Sequence, residues 1–140
     1  MLNFNVRPLL GTPWVWRGRS PETGWDCWGL FRWCVQQQSG IALPDWLAET
    51  DGVDPADREA RMSLQERCIR RDLPRFEKLA RPEIGAGVLL FIGRRPIHCG
   101  FCLGNGFFLH VDRNMPTAMD RLDCVRWRNR IEGFYRAGRV

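Results

Sequence analysis

A short glycine-rich turn between two apolar segments constrains the fold of this chain more than any other feature. Residues 97–103 and 107–111 flank the tripeptide Gly104-Asn105-Gly106. Glycine and asparagine tolerate the positive φ angles of tight hairpin turns, so the pattern predicts two antiparallel strands joined by a short loop. The apolar run 88–92 and the segments 124–127 and 133–137 are predicted to add further strands.

The first half of the chain is predicted to be helical. Asp26 is a favoured N-cap and Gly40 suits a helix C-terminus, which predicts a helix from about Cys27 to Ser39. Apolar residues fall on two of its faces, so we expect it to be buried nearly all round. Helices followed by antiparallel strands are typical of an α+β domain. A length of 140 residues fits one such domain, covering 1–140.

A second helix is predicted in the middle of the chain. Asp54 is its predicted N-cap, Pro55 takes the first helical position, and the helix runs to about Arg71. Leu64 and Cys68 are expected on its inner side. Residues 73–79 are predicted to continue as a short helix or turn, so that about 54–80 form a helical insert.

Composition and patterning exclude several classes of protein. The apolar fraction of 44% rules out general disorder. No apolar run approaches the about 18 to 20 residues that span a membrane. The start of the chain carries no secretory pattern, so we expect synthesis in a reducing cytoplasm.

The basic residues are almost all arginine. Of 21 lysines and arginines, only Lys78 is lysine. Guanidinium groups bind phosphate and carboxylate in bidentate fashion, but codon usage in a GC-rich genome is the simpler explanation. The arginines form no stripe interleaved with aromatic residues, which gives a nucleic-acid groove only weak support.

The cysteines raise the question of disulfides or a metal. Six cysteines, an even number, could form disulfides. Disulfides are rare in a reducing cytoplasm, so the absence of a signal peptide argues against them. Cys99 and Cys102 form a C-x-x-C within a predicted strand, where residues three apart point to opposite faces. They could not share one ion, so we expect no metal and no cofactor.

Cys27 is the candidate nucleophile. The free N–H groups and positive dipole end at the start of a helix favour thiolate over thiol. A histidine beside it would complete a thiolate–imidazolium pair, the arrangement that activates a cysteine. The alternative is an inert buried cysteine, as most cysteines are.

Both histidines of the chain, His98 and His110, lie on the predicted hairpin. A two-residue loop would place them on opposite faces. A three-residue loop with a bulge, closed by a left-handed Gly106, would set Gly100 opposite His110 and His98 diagonally about 7 to 8 Å away. Gly100 would also leave room between the rings. The alternative is two unrelated histidines, each hydrogen-bonded to backbone groups.

Three sequence blocks resemble the NlpC/p60 cysteine peptidases: LGTPW at 10–14 and on to Gly18, GWDCWGL at 24–30, and HCGFCLGNGFFLH at 98–110. The resemblance implies a papain-like α+β fold with N-terminal helices packed on an antiparallel sheet. It implies cleavage of the peptide stems of bacterial murein, between D-glutamate and the diamino acid.

The same resemblance implies roles for individual residues. Cys27 would be the nucleophile, His98 the general base and His110 the residue that orients the base. Trp14 stands where many relatives carry a tyrosine, so the expected phenol hydroxyl is missing. Trp14 and Trp28 are expected to contact substrate, with core packing as the alternative.

Other segments are similar to the branch of the family found in phage tails and gene transfer agents: residues 43–49, the helical insert, 87–91 and 127–136. This similarity implies a tail-tip enzyme that opens the host wall for genome delivery. Its partners would be other tail-tip and baseplate hub proteins. It would be made in the host cytoplasm and carried to the wall or periplasm by the virion. The alternatives are a structural tail-tip subunit with little or no activity, and a nucleic-acid binder.

Overall fold

Two helices pack against a six-stranded antiparallel sheet in the computed structural model, which describes residues 1–138. In chain order the elements are β1 (Arg19–Ser20), β2 (Gly24–Trp25), α1 (Cys27–Ser39), α2 (Arg58–Asp72), β3 (Phe76–Leu79), β4 (Gly87–Ile92), β5 (Arg95–Gly104), β6 (Phe107–Asp112), β7 (Met115–Arg121) and β8 (Ile131–Ala137). The large sheet has the order β3-β8-β4-β5-β6-β7, and β1 and β2 form a separate ribbon. The predicted α+β class is confirmed.

Helix α1 has the predicted bounds. The Asp26 side chain accepts a hydrogen bond from the Gly29 backbone N–H at 2.9 Å, and Gly40 ends the helix with a φ of 72°. Buried residues occupy both faces of the segment 27–35, whereas residues 36–39 are more exposed. All-round burial is therefore confirmed for the part of the helix that begins at Cys27.

Helix α2 begins three residues later than expected. Its N-cap is Asp57, whose side chain accepts from the Ala60 N–H at 3.0 Å. The Asp54 side chain accepts instead from the Ala56 N–H at 2.9 Å, in a local turn that precedes the helix. Both aspartates can cap a helix, but the Asp54 side chain is used by this turn, and the helix therefore begins after Asp57. On the inner side, Cys68 is buried as predicted.

The segment after α2 departs from the prediction. A short 3-10 turn covers Leu73–Arg75, but the following residues form β3, which pairs with β8 along its length. No continuous helical insert therefore extends to residue 80. The backbone hydrogen bonds offered by β8 outweigh the helical spacing of the apolar residues.

The β5–β6 hairpin has the register of the three-residue alternative but the loop length of the two-residue one. Asn105 and Gly106, with φ of 56° and 82°, form a two-residue loop. A bulge between Cys102 and Gly104 then shifts the register by one residue, so that Phe101 lies opposite Leu109. Because of this bulge, the side chains at 98 and 110 share a face of the sheet.

Gly100 makes room for a different ring from the one expected. A Cβ atom at this position would lie 2.6 Å from the ring of Phe108, which packs against the strand there. The space is needed by Phe108 and not by the two histidines.

The segment predicted as a strand at 124–127 is a turn. The N–H groups of Trp127 and Arg128 both donate to the Cys124 carbonyl, at 3.2 and 2.9 Å. The missing strand lies earlier, at Met115–Arg121, where it pairs with β6 as an edge strand. Its sequence has no apolar alternation, and only Thr117 is buried, so no pattern marked it.

Cys99 and Cys102 lie on opposite faces of β5, as the strand pattern predicts. Cys99 belongs to the core cluster around α1. Cys102 packs with Val88, Leu90 and Phe108 in a second cluster, on the other face of the sheet. All six cysteines are free thiols.

The helices between residues 1 and 138 include none with the length and apolar character needed to span a bilayer.

Candidate active site

Cys27 lies at the first position of α1 and opens onto a cleft of about 260 Å³. Its side chain is only 6% exposed. The cleft is walled by α2 on one side and by the histidine-bearing face of the sheet on the other, with Trp14, Arg61, Gln65, His98 and Trp127 among its lining residues. The small exposed part of Cys27 therefore faces this cleft.

Glycines allow the loop before α1 to approach the helix closely. A Cβ atom on Gly29 would lie 2.1 Å from the carbonyl oxygen of Gly18. Asp26 holds the same loop, because it accepts from the Arg17 backbone N–H at 3.0 Å and from Arg19 Nη1 at 2.8 Å. These contacts fix the position of the first turn and hence of the Cys27 thiol.

Three side chains from consecutive strands form a hydrogen-bonded row beside the thiol. His98 Nε2 on β5 lies 2.8 Å from His110 Nδ1 on β6. His110 Nε2 lies 2.6 Å from Asp120 Oδ2 on β7. Both imidazoles are buried, at 4% and 0% exposure. The structure brings the predicted histidines together and adds a carboxylate behind them.

This row determines which nitrogen of His98 is basic. Burial, followed by the charge of His98, lowers the pKa of His110 to about 4, so His110 is neutral at neutral pH. Its Nε2–H donates to Asp120, which leaves Nδ1 to accept from the Nε2–H of His98. The remaining nitrogen of His98, Nδ1, is then free to take a proton from Cys27.

The surroundings of Cys27 favour the thiolate. Hydrogen bonds from the Cys99 side chain and from His98 hold the pKa of Cys27 well below its usual range, in spite of burial. The same interaction with Cys27, together with burial, raises the pKa of Cys99. Of these two thiols, Cys27 is the one at the helix N-terminus, where the thiolate is favoured.

Trp127 packs against the whole row. Its fully buried ring stacks on His98 at 5.2 Å between centroids and meets His110 edge-on at 5.1 Å. Its Nε1–H donates to Asp120 Oδ2 at 3.3 Å. One side chain thus fixes both imidazoles and their carboxylate partner.

Sequence reasoning missed Asp120 and Trp127. Asp120 is recognisable only once β7 is known, because Ala118 lies opposite His110 and Asp120 is the next residue on that face. Trp127 was assigned to a strand, whereas it reaches the site from a turn. No signal in the sequence pointed to that turn.

The two tryptophans predicted to contact substrate lie in different places. Trp14 is half-buried and lines the cleft, where substrate contact stays a prediction. Trp28 is buried on another side of α1. It stacks on Trp46 at 3.7 Å and donates from Nε1 to the Pro44 carbonyl at 2.8 Å. Trp28 therefore packs in the core, which was the alternative to substrate contact.

The cleft is strongly basic. Five arginines line it: Arg58, Arg61, Arg113, Arg126 and Arg130. Arg61 is 7% exposed, its guanidinium lies 5.3 Å from the ring of Trp14, and its Nε has no hydrogen-bond partner within residues 1–138. Burial, together with Arg113 and Arg58, lowers the pKa of Arg61. A buried cation without a carboxylate partner can bind an anionic group of a ligand.

Comparison with known proteins matches the NlpC/P60 family model to residues 11–136. The chain is 28% identical over 131 residues to the bifunctional muramidase/DL-endopeptidase CwlT of Bacillus subtilis, covering 90% of this chain and 32% of that protein. It is 25% identical over 131 residues to the gamma-DL-glutamyl hydrolase of the same organism, covering 91% and 26%. The chain thus spans a third or less of the length of these relatives.

A solved structure supports the same fold. An NLP/P60 family protein similar to a lipoprotein, from Staphylococcus aureus, superposes with a TM-score of 0.63 at 18% identity, covering 96% of this chain and 39% of that one.

Proposed function

Because this chain belongs to the NlpC/P60 family, we propose that it is a cysteine endopeptidase that cleaves the peptide stems of bacterial murein. One observation carries the proposal: Cys27 at a helix N-terminus lies beside His98, whose Nε2 is hydrogen-bonded to His110, and His110 is in turn hydrogen-bonded to Asp120. This arrangement keeps a thiolate ready and a proton carrier next to it.

The proposed reaction proceeds through an acyl-enzyme. His98 Nδ1 holds the proton of Cys27 while the thiolate attacks the scissile carbonyl carbon and forms a C–S bond. When the tetrahedral intermediate collapses, the C–N bond breaks and His98 gives its proton to the leaving nitrogen. A water molecule, deprotonated by His98, then hydrolyses the thioester. His110, Asp120 and Trp127 hold the imidazole in place throughout.

The basic cleft supports an anionic substrate. A stem peptide linked through the γ-carboxyl of D-glutamate keeps a free α-carboxylate beside the scissile bond. Arg61 lines the cleft, is buried and has no carboxylate partner in the described chain, which supports a role in binding this carboxylate. The names of the two relatives, a DL-endopeptidase and a gamma-DL-glutamyl hydrolase, agree with cleavage after D-glutamate.

Digestion of purified murein stem peptide tests the activity. The wild type, Cys27→Ala and the control Cys124→Ala are incubated with the peptide, and the products are identified by mass spectrometry. We expect cleavage at one bond by the wild type and by Cys124→Ala, because Cys124 lies outside the cleft. Cleavage that persists in Cys27→Ala would contradict the proposed nucleophile.

We further propose that this enzyme works at the tip of a phage or phage-like tail, beside hub proteins, and opens the wall during genome delivery. The support is the similarity of segments 43–49, 87–91 and 127–136 to that branch of the family. Antibodies raised against the domain test the location by electron microscopy of particles from the producing strain. Labelling at the distal tail end is expected, and particles that carry no label on the tail, from a strain that contains the protein, would contradict it.

The low exposure of Cys27 favours one second candidate, a structural tail-tip subunit whose site is closed. The rate at which iodoacetamide modifies Cys27 at neutral pH separates the two. Fast modification supports an enzyme with a reachable thiolate, whereas slow modification of the folded protein supports the structural role.

A further inference from the structure

We propose that Gln65 is a further catalytic residue, whose side-chain amide donates a hydrogen bond to the oxyanion formed when Cys27 attacks a carbonyl. Gln65 lies on α2, outside the three sequence blocks that carry the family resemblance. The inference rests on the proposed function, because it assigns a role within the same acyl-transfer step.

The amide of Gln65 is aimed at the reacting sulfur. Its Nε2 lies 2.8 Å from Cys27 Sγ and 2.9 Å from the carbonyl oxygen of Ile97. A primary amide nitrogen carries two hydrogens. The Ile97 carbonyl takes one and thereby fixes the plane of the amide, so the other is directed at the sulfur.

The side chain is both held and reachable. Gln65 is half-buried and lines the cleft together with Cys27 and His98. The carbonyl oxygen that accepts from it belongs to the residue before His98, so strand β5 positions the base and this donor together. A substrate entering the cleft meets a donor that is already oriented, as transition-state stabilisation requires.

The start of α1 supplies a second donor. The first N–H groups of a helix have no carbonyl partner within it. The Asp26 side chain occupies that of Gly29, which leaves the N–H of Cys27 itself beside the sulfur. An oxyanion close to Sγ can then accept one hydrogen bond from the Cys27 backbone and one from Gln65.

The step balances without any further reactant. As the Sγ–C bond forms, the π electron pair of the carbonyl moves onto its oxygen, where the two N–H donors bind it. On collapse that pair reforms the C=O bond, the C–N bond breaks, and the leaving nitrogen takes the proton from His98. Gln65 donates a hydrogen bond only and transfers no proton.

Two other effects of the same contact make different predictions. If Gln65 stabilised the resting thiolate, its loss would slow every reaction of Cys27. If it merely covered the sulfur, its loss would speed those reactions. The loss of an oxyanion donor slows only those reactions that pass through a tetrahedral intermediate. Alkylation by iodoacetamide forms no such intermediate, so its rate should not change.

The test uses two variants of Gln65. Gln65→Met keeps the length of the side chain but has no N–H donor, and Gln65→Ala removes the side chain. The control is Gln37→Ala, on the exposed end of α1. Three rates are measured for each: stem-peptide hydrolysis, acylation by p-nitrophenyl acetate, and alkylation by iodoacetamide. Thermal unfolding checks that every variant is folded.

We expect kcat for hydrolysis and the acylation rate to fall about 10²- to 10³-fold in both Gln65 variants. KM, the alkylation rate and the control should change less than about threefold. Unchanged acylation, or alkylation that falls in parallel with it, would overturn the inference. A wild type that reacts with p-nitrophenyl acetate but cleaves no stem peptide would refute the proposed substrate alone, since the acylation rates still decide the role of Gln65.

Discussion

His98 and His110 meet through their ring nitrogens, with 2.8 Å between Nε2 of the first and Nδ1 of the second, although they belong to different strands. The bulge between Cys102 and Gly104 makes this contact possible, because it returns both side chains to one face. The contact occupies Nε2 of His98 and leaves its Nδ1 free for the proton exchange with Cys27 that we propose.

Replacement of His110 tests the positioning of the base. We expect His110→Ala to lower kcat/KM for stem peptide by about 10²- to 10⁴-fold, because Nε2 of His98 loses its acceptor and the ring loses its orientation. His110→Asn places an oxygen where Nδ1 lies and should restore part of the rate. Equal losses in the two variants, with both proteins folded, would argue that His110 matters only for packing.

Stability should fall as the pH drops below the ordinary range of histidine. The pKa of His110 is lowered to about 4 from 6.5, so the unfolded chain binds more protons between these values and stability rises with pH across that window. The contribution of neutral His110 to the free energy of unfolding is complete above about pH 6.5, and about 3 kcal/mol of it is lost by pH 4. Urea unfolding of the wild type and His110→Asn from pH 7 to pH 4 measures the difference, and identical slopes would contradict the assignment.

Arg61 should discriminate between charged and neutral stems. A hydrogen bond to a charged group is worth about 1.5 to 3 kcal/mol, so Arg61→Gln should lower kcat/KM about 10- to 150-fold on a stem with a free D-glutamate α-carboxylate. On the α-amidated stem the variant and the wild type should differ little. Arg81→Gln, at an exposed site outside the cleft, is the control. An equal loss on both stems would show that Arg61 does not bind the α-carboxylate.

The close approach of Gly29 to Gly18 should make position 29 intolerant of a side chain. A Cβ atom there would lie 2.1 Å from a backbone oxygen, which cannot move away without displacing the loop. We expect Gly29→Ala to lower the free energy of unfolding by about 3 kcal/mol, the upper end of the usual cost of overpacking. Gly40→Ala, where only the left-handed backbone resists, should cost about 1 to 2 kcal/mol. A smaller effect at 29 than at 40 would contradict this packing.

The sequence predicted those parts of the site that depend on local chemistry. The caps of α1 predicted Cys27 at a helix start, and the glycine-rich turn predicted His98 and His110 on one hairpin, with two registers left open. The expectation that a two-residue loop separates the two histidines was wrong, because a two-residue turn plus a bulge gives the same register as a three-residue loop with a bulge. Local propensity cannot distinguish these two solutions.

The rest of the site depends on tertiary packing. Asp120 lies on an edge strand with a mostly polar sequence, and Trp127 reaches the histidines from a turn. Gln65 and Arg61 line the cleft only because α2 packs against β5 beside the start of α1. No periodicity within α2 indicates which of its faces meets the cysteine.

The pH dependence of Cys27 alkylation tests the central claim, that this thiol is held as a thiolate by its neighbours, most directly. Wild type and His98→Ala are treated with iodoacetamide from pH 4 to pH 10, and modified Cys27 is quantified by peptide mass spectrometry. The hydrogen bonds that lower the pKa of Cys27 predict rapid modification of the wild type below neutral pH, with a shift toward ordinary thiol behaviour in His98→Ala. A wild-type profile that rises only near the pH of a free thiol, about 8.5, and is unchanged by His98→Ala would contradict the account.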